Sequence, residues 1–239
     1  MARFLRRPLP EAPSFNVMTP LILPFYGSPS MRVLNARLVR TQVRIAARWL
    51  GIDLDDSVVM VTIPTALDVV EKMGRSRLLL NRSDLHSAFE ETDQEMIRGL
   101  ESELLRSSDV VLYTSHSLME AESELAGDRA VFLDHGVDLD RFDPRALGPA
   151  VGLEDIEGPV VGFFGGIDDY LVDIGLLEEV ARSVPDATLV LIGDATAPID
   201  ELVSMPNVRW LGFRPYEEIP SLGARFDVAL MPWLRNEWM

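Results

Sequence analysis

Cysteine is absent from the 239-residue sequence. Its absence excludes a disulfide framework, a thiolate zinc site and a cysteine nucleophile, and it fits a reducing compartment. No apolar run approaches the roughly 18 residues needed to cross a bilayer. The arginines near the N-terminus are not followed by the apolar stretch and small-residue cleavage site of a signal peptide. Lysine is almost missing, with Lys72 the single case. The three histidines, His86, His116 and His135, form no pattern at metal-ligand spacing, so no metal site is expected. There is no G-x-S-x-G elbow. No glycine turn carries the G-x-G-x-x-G spacing of a nicotinamide site or the lysine of a P-loop.

What is present is an acidic chain with a basic start. The formal charge is −16, yet residues 1–50 hold eight arginines against Glu11, a net +7, which leaves −23 for the remainder. Such a body argues against a nucleic-acid partner, whose phosphates need a basic surface. Acid-rich, lysine-poor composition reads either as adaptation to high salt or as biased codon usage. Hydrophobic residues make up 47% of the chain, enough for a packed core.

Residues 1–14, rich in Arg and Pro, read as irregular, with a strand candidate at Phe15–Thr19 and a packed Pro/Gly loop at Pro20–Pro29. The spacing predicts a helix from Ser30, as cap, to Leu50, stopped by Gly51. Arg37, Arg40, Arg44 and Arg48 share one face of it, and Leu34, Leu38, Ile45 and Trp49 the other. That helix reads either as a peripheral contact with anionic lipid or as a solvated face on a core-packed helix. Beyond it, Val58–Ile63 reads as a buried strand and Thr65–Met73 as a short helix. Strand Arg77–Leu80, helix Thr92–Ser107, strand Asp109–Tyr113, helix Ser115–Leu125 and strand Ala130–Leu133 follow. Turn dipeptides Asp143-Pro144, Gly148-Pro149 and Gly158-Pro159 then mark a linker. A second series has strands at Val160–Phe164, Thr188–Ile192, Val208–Leu211 and Val228–Met231. Helices are expected near Ile174 and Ile199 and over Tyr216–Leu222. Alternation at this spacing predicts an α/β chain of two Rossmann-like domains: 1–140, a linker over 141–158, and 159–239.

Three strings carry chemistry. Gly162-Phe-Phe-Gly165-Gly166 turns from a buried strand, where glycines let backbone approach a phosphate and the next helix N-terminus favours it. Leu191-Ile-Gly193-Asp194 ends the next strand, at the edge where open α/β sheets bind ligands. Asp194 there reads as a hydroxyl ligand or as a helix cap. Asn207-Val-Arg-Trp-Leu-Gly-Phe-Arg214-Pro215-Tyr216-Glu-Glu-Ile-Pro220 couples a strand end to a helix whose acids suit its N-terminus.

That last string, followed by Phe226-Asp-Val-Ala-Leu-Met-Pro-Trp233, resembles the C-terminal domain of family 4-type glycosyltransferases of the GT-B fold. His135-Gly-Val-Asp138 is similar to the family's Asn-Gly-Val-Asp segment, and Asp109-Val-Val-Leu-Tyr-Thr-Ser115 to the strand before it. The resemblance runs from about Phe15 to Trp238. It implies transfer of a sugar from a nucleotide-sugar donor, as co-substrate, to a hydroxyl of a saccharide or lipid-linked acceptor in cell-surface polysaccharide or glycolipid synthesis. It further implies no separate cofactor and a cytoplasmic setting, at the inner face of the membrane if the lipid reading of the arginine helix holds. Donor contacts carry over to Gly165, Gly166, Gly193, Asp194, Arg214, Pro215, Tyr216 and Asn236, and acceptor-side catalytic contacts to Asp84 and His86 in Asn81-Arg-Ser-Asp84-Leu-His86.

The sequence also departs from that pattern. Asp168-Asp169-Tyr170 stands where the family commonly has a cation after the glycine turn. The family's opening strand and glycine loop, and its Pro-x-Lys-x-x-Glu-Tyr segment after Asn236, have no counterpart, so the C-terminal domain is expected to be incomplete. A non-catalytic truncated homologue and a GT-B sugar-nucleotide epimerase are therefore alternative readings.

Overall fold

The computed structural model describes residues 5–9, 12, 14–24, 28–89, 93–145 and 147–235. The chain divides into two units between His135 and Gly136.

In the first unit, β1 (Leu5–Arg6) pairs antiparallel with β2 (Val17–Met18), so the arginine-rich start is partly ordered rather than irregular. Helix α1 (Pro29–Leu50) is capped two residues earlier than the sequence suggests: Ser28, not Ser30, caps it, with its Oγ accepting from the Met31 N–H at 3.3 Å. The reason is Pro29, whose fixed φ suits the first turn and whose missing N–H would be an orphan there in any case. Gly51, at φ 70°, ends the helix in the left-handed region. β3 (Val58–Val61) is followed by a 3₁₀ turn, Pro64–Ala66, and α2 (Leu67–Val70). Next come β4 (Arg77–Arg82), a 3₁₀ turn at His86–Ala88, and α3 (Gln94–Ser107), capped by Asp93. β5 (Val110–Tyr113), α4 (His116–Ala121), α5 (Ser123–Ala126) and β6 (Ala130–Phe132) complete the unit.

Its sheet is parallel throughout, in the order β3-β4-β5-β6. β3 is an edge strand, with Val58 and Met60 exposed, which corrects the expectation of a buried one: with no neighbour on its outer side among the described residues, only Val61 is fully covered. The core lies under β4 and β5. The period of two along β4 sends Leu78, Leu80 and Arg82 to the same buried side, where α3 supplies Ile97, Leu100 and Leu104.

The second unit repeats the plan with β7 (Val160–Phe164), α6 (Ile174–Ser183), β8 (Thr188–Ile192), α7 (Asp200–Val203), β9 (Val208–Trp210), α8 (Ile219–Gly223) and β10 (Val228–Ala229). The strands are parallel, in the order β10-β7-β8-β9. β8 is covered on both faces, with Leu189, Val190, Leu191 and Ile192 at most 1% exposed, so it reads as a continuous apolar run. α8 starts at Ile219 rather than Tyr216, because Pro220 has no N–H to bond back to Tyr216 and the preceding residues close a turn instead. Residues expected to form a linker are partly core: Leu153 and Ile156 pack with Val160, Val190, Ile192 and Leu222. Arg209 of β9 ties them down, donating to the Gly152 carbonyl at 3.0 Å and to both Asp155 oxygens at 2.5 and 2.8 Å.

One device recurs in both sheets. Asp109 precedes β5 and accepts the Leu78 N–H at 2.7 Å while its own N–H donates to the Leu78 carbonyl at 2.8 Å. Asp227 precedes β10 and does the same to Val160, at 2.8 Å in both directions.

Candidate functional site

In a parallel sheet the ends of the strands point one way, and ligands bind outside their carboxyl ends. In the second unit three glycines occupy those ends. Gly165 follows β7, Gly193 follows β8 and Gly212 lies just beyond β9. The Gly165 N–H donates to the Ile192 carbonyl at 2.9 Å, and the Gly193 N–H to the Gly212 carbonyl at 2.8 Å. Gly193 has φ 137°, and a Cβ placed on it would stand 1.9 Å from the Gly165 carbonyl oxygen. Only glycine allows this approach. Ile167 bonds the Asp194 carbonyl at 2.9 Å, and the Trp210 indole N–H bonds the Gly193 carbonyl at 2.9 Å. Gly165, Gly166, Gly193 and Asp194 thus form one backbone ledge, with the Asp194 carboxylate exposed.

The helix after this turn starts where the sequence suggests, but its N-terminus is already occupied. α6 begins at Ile174, and the Asp173 carboxylate already caps it, accepting the Leu176 N–H at 2.9 Å. Asp168 is turned to Thr196, whose hydroxyl donates to it. The ledge therefore has no free helix end beside it to offer a phosphate.

The chain leaves Gly212 for Phe213, Arg214, Pro215 and Tyr216. Arg214 faces its own unit: its Nη1 lies 3.5 Å from Glu218, and its Nε is buried with no hydrogen-bond partner among the described residues. Tyr216 is half exposed. The Arg141 guanidinium stands over its ring, 4.9 Å from the centroid, and Phe142 meets it edge-on at 6.1 Å. Arg141 also pairs with Asp138 and Glu217, both at 3.4 Å. Arg141 and Phe142 fall in the stretch that the turn dipeptides mark as a linker. Nothing in their local pattern announces them, since they reach Tyr216 across more than 70 residues. Asn236 lies outside the described residues.

Asp84 and His86 belong to the first unit, at the end of β4. Asp84 is exposed, its carboxylate accepting from Ser83 Oγ at 2.7 Å. His86 Nδ1 is 3.2 Å from the Asp84 carbonyl and 3.9 Å from Glu101. Beneath them lies a buried charge cluster that sequence reading missed. Arg82, 3% exposed, donates from Nη1 to Glu101 at 2.7 Å and to the Asp84 carbonyl at 2.5 Å, and from Nη2 to Glu122 at 2.6 Å. Tyr113 donates to Glu122 at 2.9 Å, and the Ser87 N–H to Glu101 at 3.2 Å. Burial disfavours the Arg82 charge, but the hydrogen bond and charge of Glu122, joined by Glu101, outweigh it and hold its pKa above the ordinary value. Burial and the Glu122 carboxylate push the Tyr113 phenol well up. The arrangement fixes the backbone from Arg82 to Ser87 from below. The cavity beside His86 measures about 10 Å³, too small for any substrate, so a ligand would meet the exposed side of this loop. Among the described residues no cluster of three His, Asp or Glu is placed to hold a metal.

No protein-family model matches the chain. It is 30% identical over 165 residues, 66% of its own length and 41% of the relative's, to TuaH of Bacillus subtilis (strain 168), a protein named for glycosyl transfer in teichuronic acid biosynthesis. It is 27% identical over 150 residues, 56% of its length and 39% of the relative's, to the 2-deoxystreptamine glucosyltransferase of Streptomyces kanamyceticus. The chain thus spans about two fifths of these curated relatives. Among solved structures it superposes on sucrose-phosphate synthase from Thermosynechococcus elongatus with TM-score 0.67 at 15% identity, covering 92% of this chain and 60% of that one. Anabaena HepE in complex with UDP matches with TM-score 0.62 at 19% identity, covering 87% and 59%. The fold is therefore of the GT-B type.

Proposed function

We propose that this chain, a homologue of glycosyltransferases with the GT-B fold, moves a sugar from a nucleotide-sugar donor to a hydroxyl of a saccharide or lipid-linked acceptor. The observation that carries the reading is the glycine ledge at the ends of β7 and β8, where the backbone of Gly193 closes on the Gly165 carbonyl as only glycine allows. In this reading Asp194 takes a hydroxyl of the ribose or the sugar, and Tyr216, with Arg141 on one face, borders the base. The bond from the sugar C1 to the diphosphate oxygen breaks and a bond from C1 to the acceptor oxygen forms. The acceptor proton leaves toward Asp84, with His86 beside it. Rate enhancement comes from positioning and from backbone donors aimed at the leaving diphosphate. HepE has been solved with UDP and with UDP-glucose, which makes UDP the first nucleotide to try.

A second reading, a homologue that binds no donor by itself, is favoured by Asp168 and Asp169 standing where a cation would neutralise the diphosphate. Titration calorimetry of the chain with UDP, GDP and ADP separates the two. The first requires binding of one of them at micromolar to low-millimolar concentration. Silence from all three at millimolar nucleotide removes the donor site and leaves the second. Work on a lipid-linked acceptor would place the protein at the cytoplasmic face of a membrane. No helix among the described residues is long and apolar enough to cross one.

A further inference from the structure

Helix α1 turns few of its large apolar residues to the core: Val43 packs against it, while Val33, Leu34, Ile45 and Trp49 are exposed. Its inward side is made of small and polar residues: Asn35, Ala36, Ala46 and Ala47 are buried, and two of its arginines point in. Arg32 forms a two-pronged pair with Asp68, both contacts at 2.9 Å, and Arg40, 7% exposed, donates to the Asp68 carbonyl at 3.0 Å. The expected four-arginine face is therefore three, Arg37, Arg44 and Arg48, and the apolar side expected to pack is open: Leu34, Ile45 and Trp49 are 43–54% exposed. At 100° per residue the three arginines fall within an arc of about 40°, and Leu34, Leu38, Ile45 and Trp49 within an adjoining arc of about 60°.

The segment before the helix extends this apolar stripe. Gln42 and Asn35 act as side-chain substitutes for a neighbouring strand. The Gln42 amide accepts the Leu21 N–H and donates to the Leu21 carbonyl, both at 2.8 Å. Asn35 treats Leu23 in the same way, at 2.8 and 3.0 Å. The segment is thus fixed along the helix by hydrogen bonds rather than by burial, and Leu21 and Ile22 stand out from it, 73% and 47% exposed. Arg37, Arg44 and Arg48 have no carboxylate within ion-pair reach among the described residues; Arg44 makes one bond, to the Lys72 carbonyl at 3.2 Å.

From this face we infer that the first unit docks on an anionic phospholipid surface, with α1 lying in the interface plane. Leu21, Ile22, Ile45 and Trp49 enter the acyl boundary, and Arg37, Arg44 and Arg48 meet lipid phosphates. Charge selects this occupant. The chain beyond residue 50 carries −23, so a negative surface favours an approach that presents these arginines. An amphipathic helix with arginine on one arc and Trp, Leu and Ile on the next is the form that binds such interfaces. The inference concerns a surface of the first unit alone, and its test does not involve the donor site.

The test is flotation of the full chain with vesicles of phosphatidylcholine, alone or with 30% phosphatidylglycerol. Binding is expected only to the anionic vesicles and is expected to weaken in 0.5 M salt. The exposed triple variant Arg37→Gln/Arg44→Gln/Arg48→Gln, shown folded by circular dichroism, should lower the partition coefficient on the order of 100-fold, roughly fivefold per arginine. Ile45→Ser/Trp49→Ser should abolish binding without changing the net charge. Failure of the native chain to float with anionic vesicles overturns the inference. So does equal binding to neutral vesicles, or a concentration-dependent dimer, disrupted by the same variants, that covers the face in place of lipid.

Discussion

Replacing Arg82 by Met removes the one cation of a buried cluster while keeping most of its volume. Glu101 and Glu122, 5% and 12% exposed, would be left facing each other without a counterion, and the Asp84 carbonyl would lose a donor. Breaking a buried pair in this way costs about 3–5 kcal/mol, a large part of the roughly 5–15 kcal/mol that stabilises a domain. At about 2–8 °C per kcal/mol, depending on domain size, the melting transition of the first unit should fall by on the order of 10–20 °C. Scanning calorimetry at pH 7.5 reads this directly, and the transition of the second unit should stay in place. The pH dependence carries the sharper test. With the guanidinium gone, the two carboxylates repel and are poorly solvated, so their folded pKa values rise above the unfolded value of about 4.3. Ionisation then costs stability above those raised values, and the deficit of the variant should shrink as pH falls from 7.5 toward 5. Glu101→Gln, which retains an acceptor for Arg82 and Ser87, should cost far less. A deficit below about 1 kcal/mol, or one that is the same at pH 5 and 7.5, would refute the view that Arg82 neutralises a buried acidic pair.

Gly193→Ala should destabilise the second unit by about 2–4 kcal/mol, since both the clash with the Gly165 carbonyl and the left-handed backbone are each of order 1–3 kcal/mol. Gly166→Ala, whose Cβ meets only the carboxylate tip of the Asp168 side chain and no backbone, should cost far less than Gly193→Ala. Tyr216→Ala should weaken whichever nucleotide binds roughly 5- to 150-fold by calorimetry, from the ~1–3 kcal/mol of base–aromatic stacking, with little change in melting temperature. Acid titration should expose the Asp155–Arg209 pair. The Arg209 hydrogen bonds hold the Asp155 pKa down to about 2, so its small contribution is present above about pH 4 and lost as pH falls toward 2, and Asp155→Asn should flatten that window.

The strands most legible in the sequence were those whose burial is two-sided. Val160–Phe164 and Thr188–Ile192 stand where their β-branched and apolar runs place them. The ends of elements moved wherever proline set the backbone, at Pro29 and Pro220. What stayed hidden was tertiary. Arg82 continues the alternation of Leu78 and Leu80, a signal that it points inward, but its partners lie 19 and 40 residues away and leave no local trace. Helix α1 shows two faces by period, yet period does not say which one packs. The stripe of Asn35, Ala36, Ala46 and Ala47 is the clue, because small side chains allow the close approach to α2 that leucines would block. The glycines of the ledge were visible as turns. Their contact with each other was not, since it depends on the register of β7 against β8.

The aspartate clamps ahead of β5 and β10 bear on how the chain folds. Parallel neighbours have no hairpin to set their register, and the first contact between them must close a long loop before any ladder can form. Asp109 closes 31 residues onto Leu78, and Asp227 closes 67 onto Val160, each with a pair of hydrogen bonds at the first rung. The second closure carries about 0.7 kcal/mol more loop entropy than the first, by the logarithmic dependence on length. Refolding should then be ordered in time: the β4–β5 pair forms early in the first unit, and the β7–β10 pair locks last in the second, with Asp227→Ala slowing that phase alone.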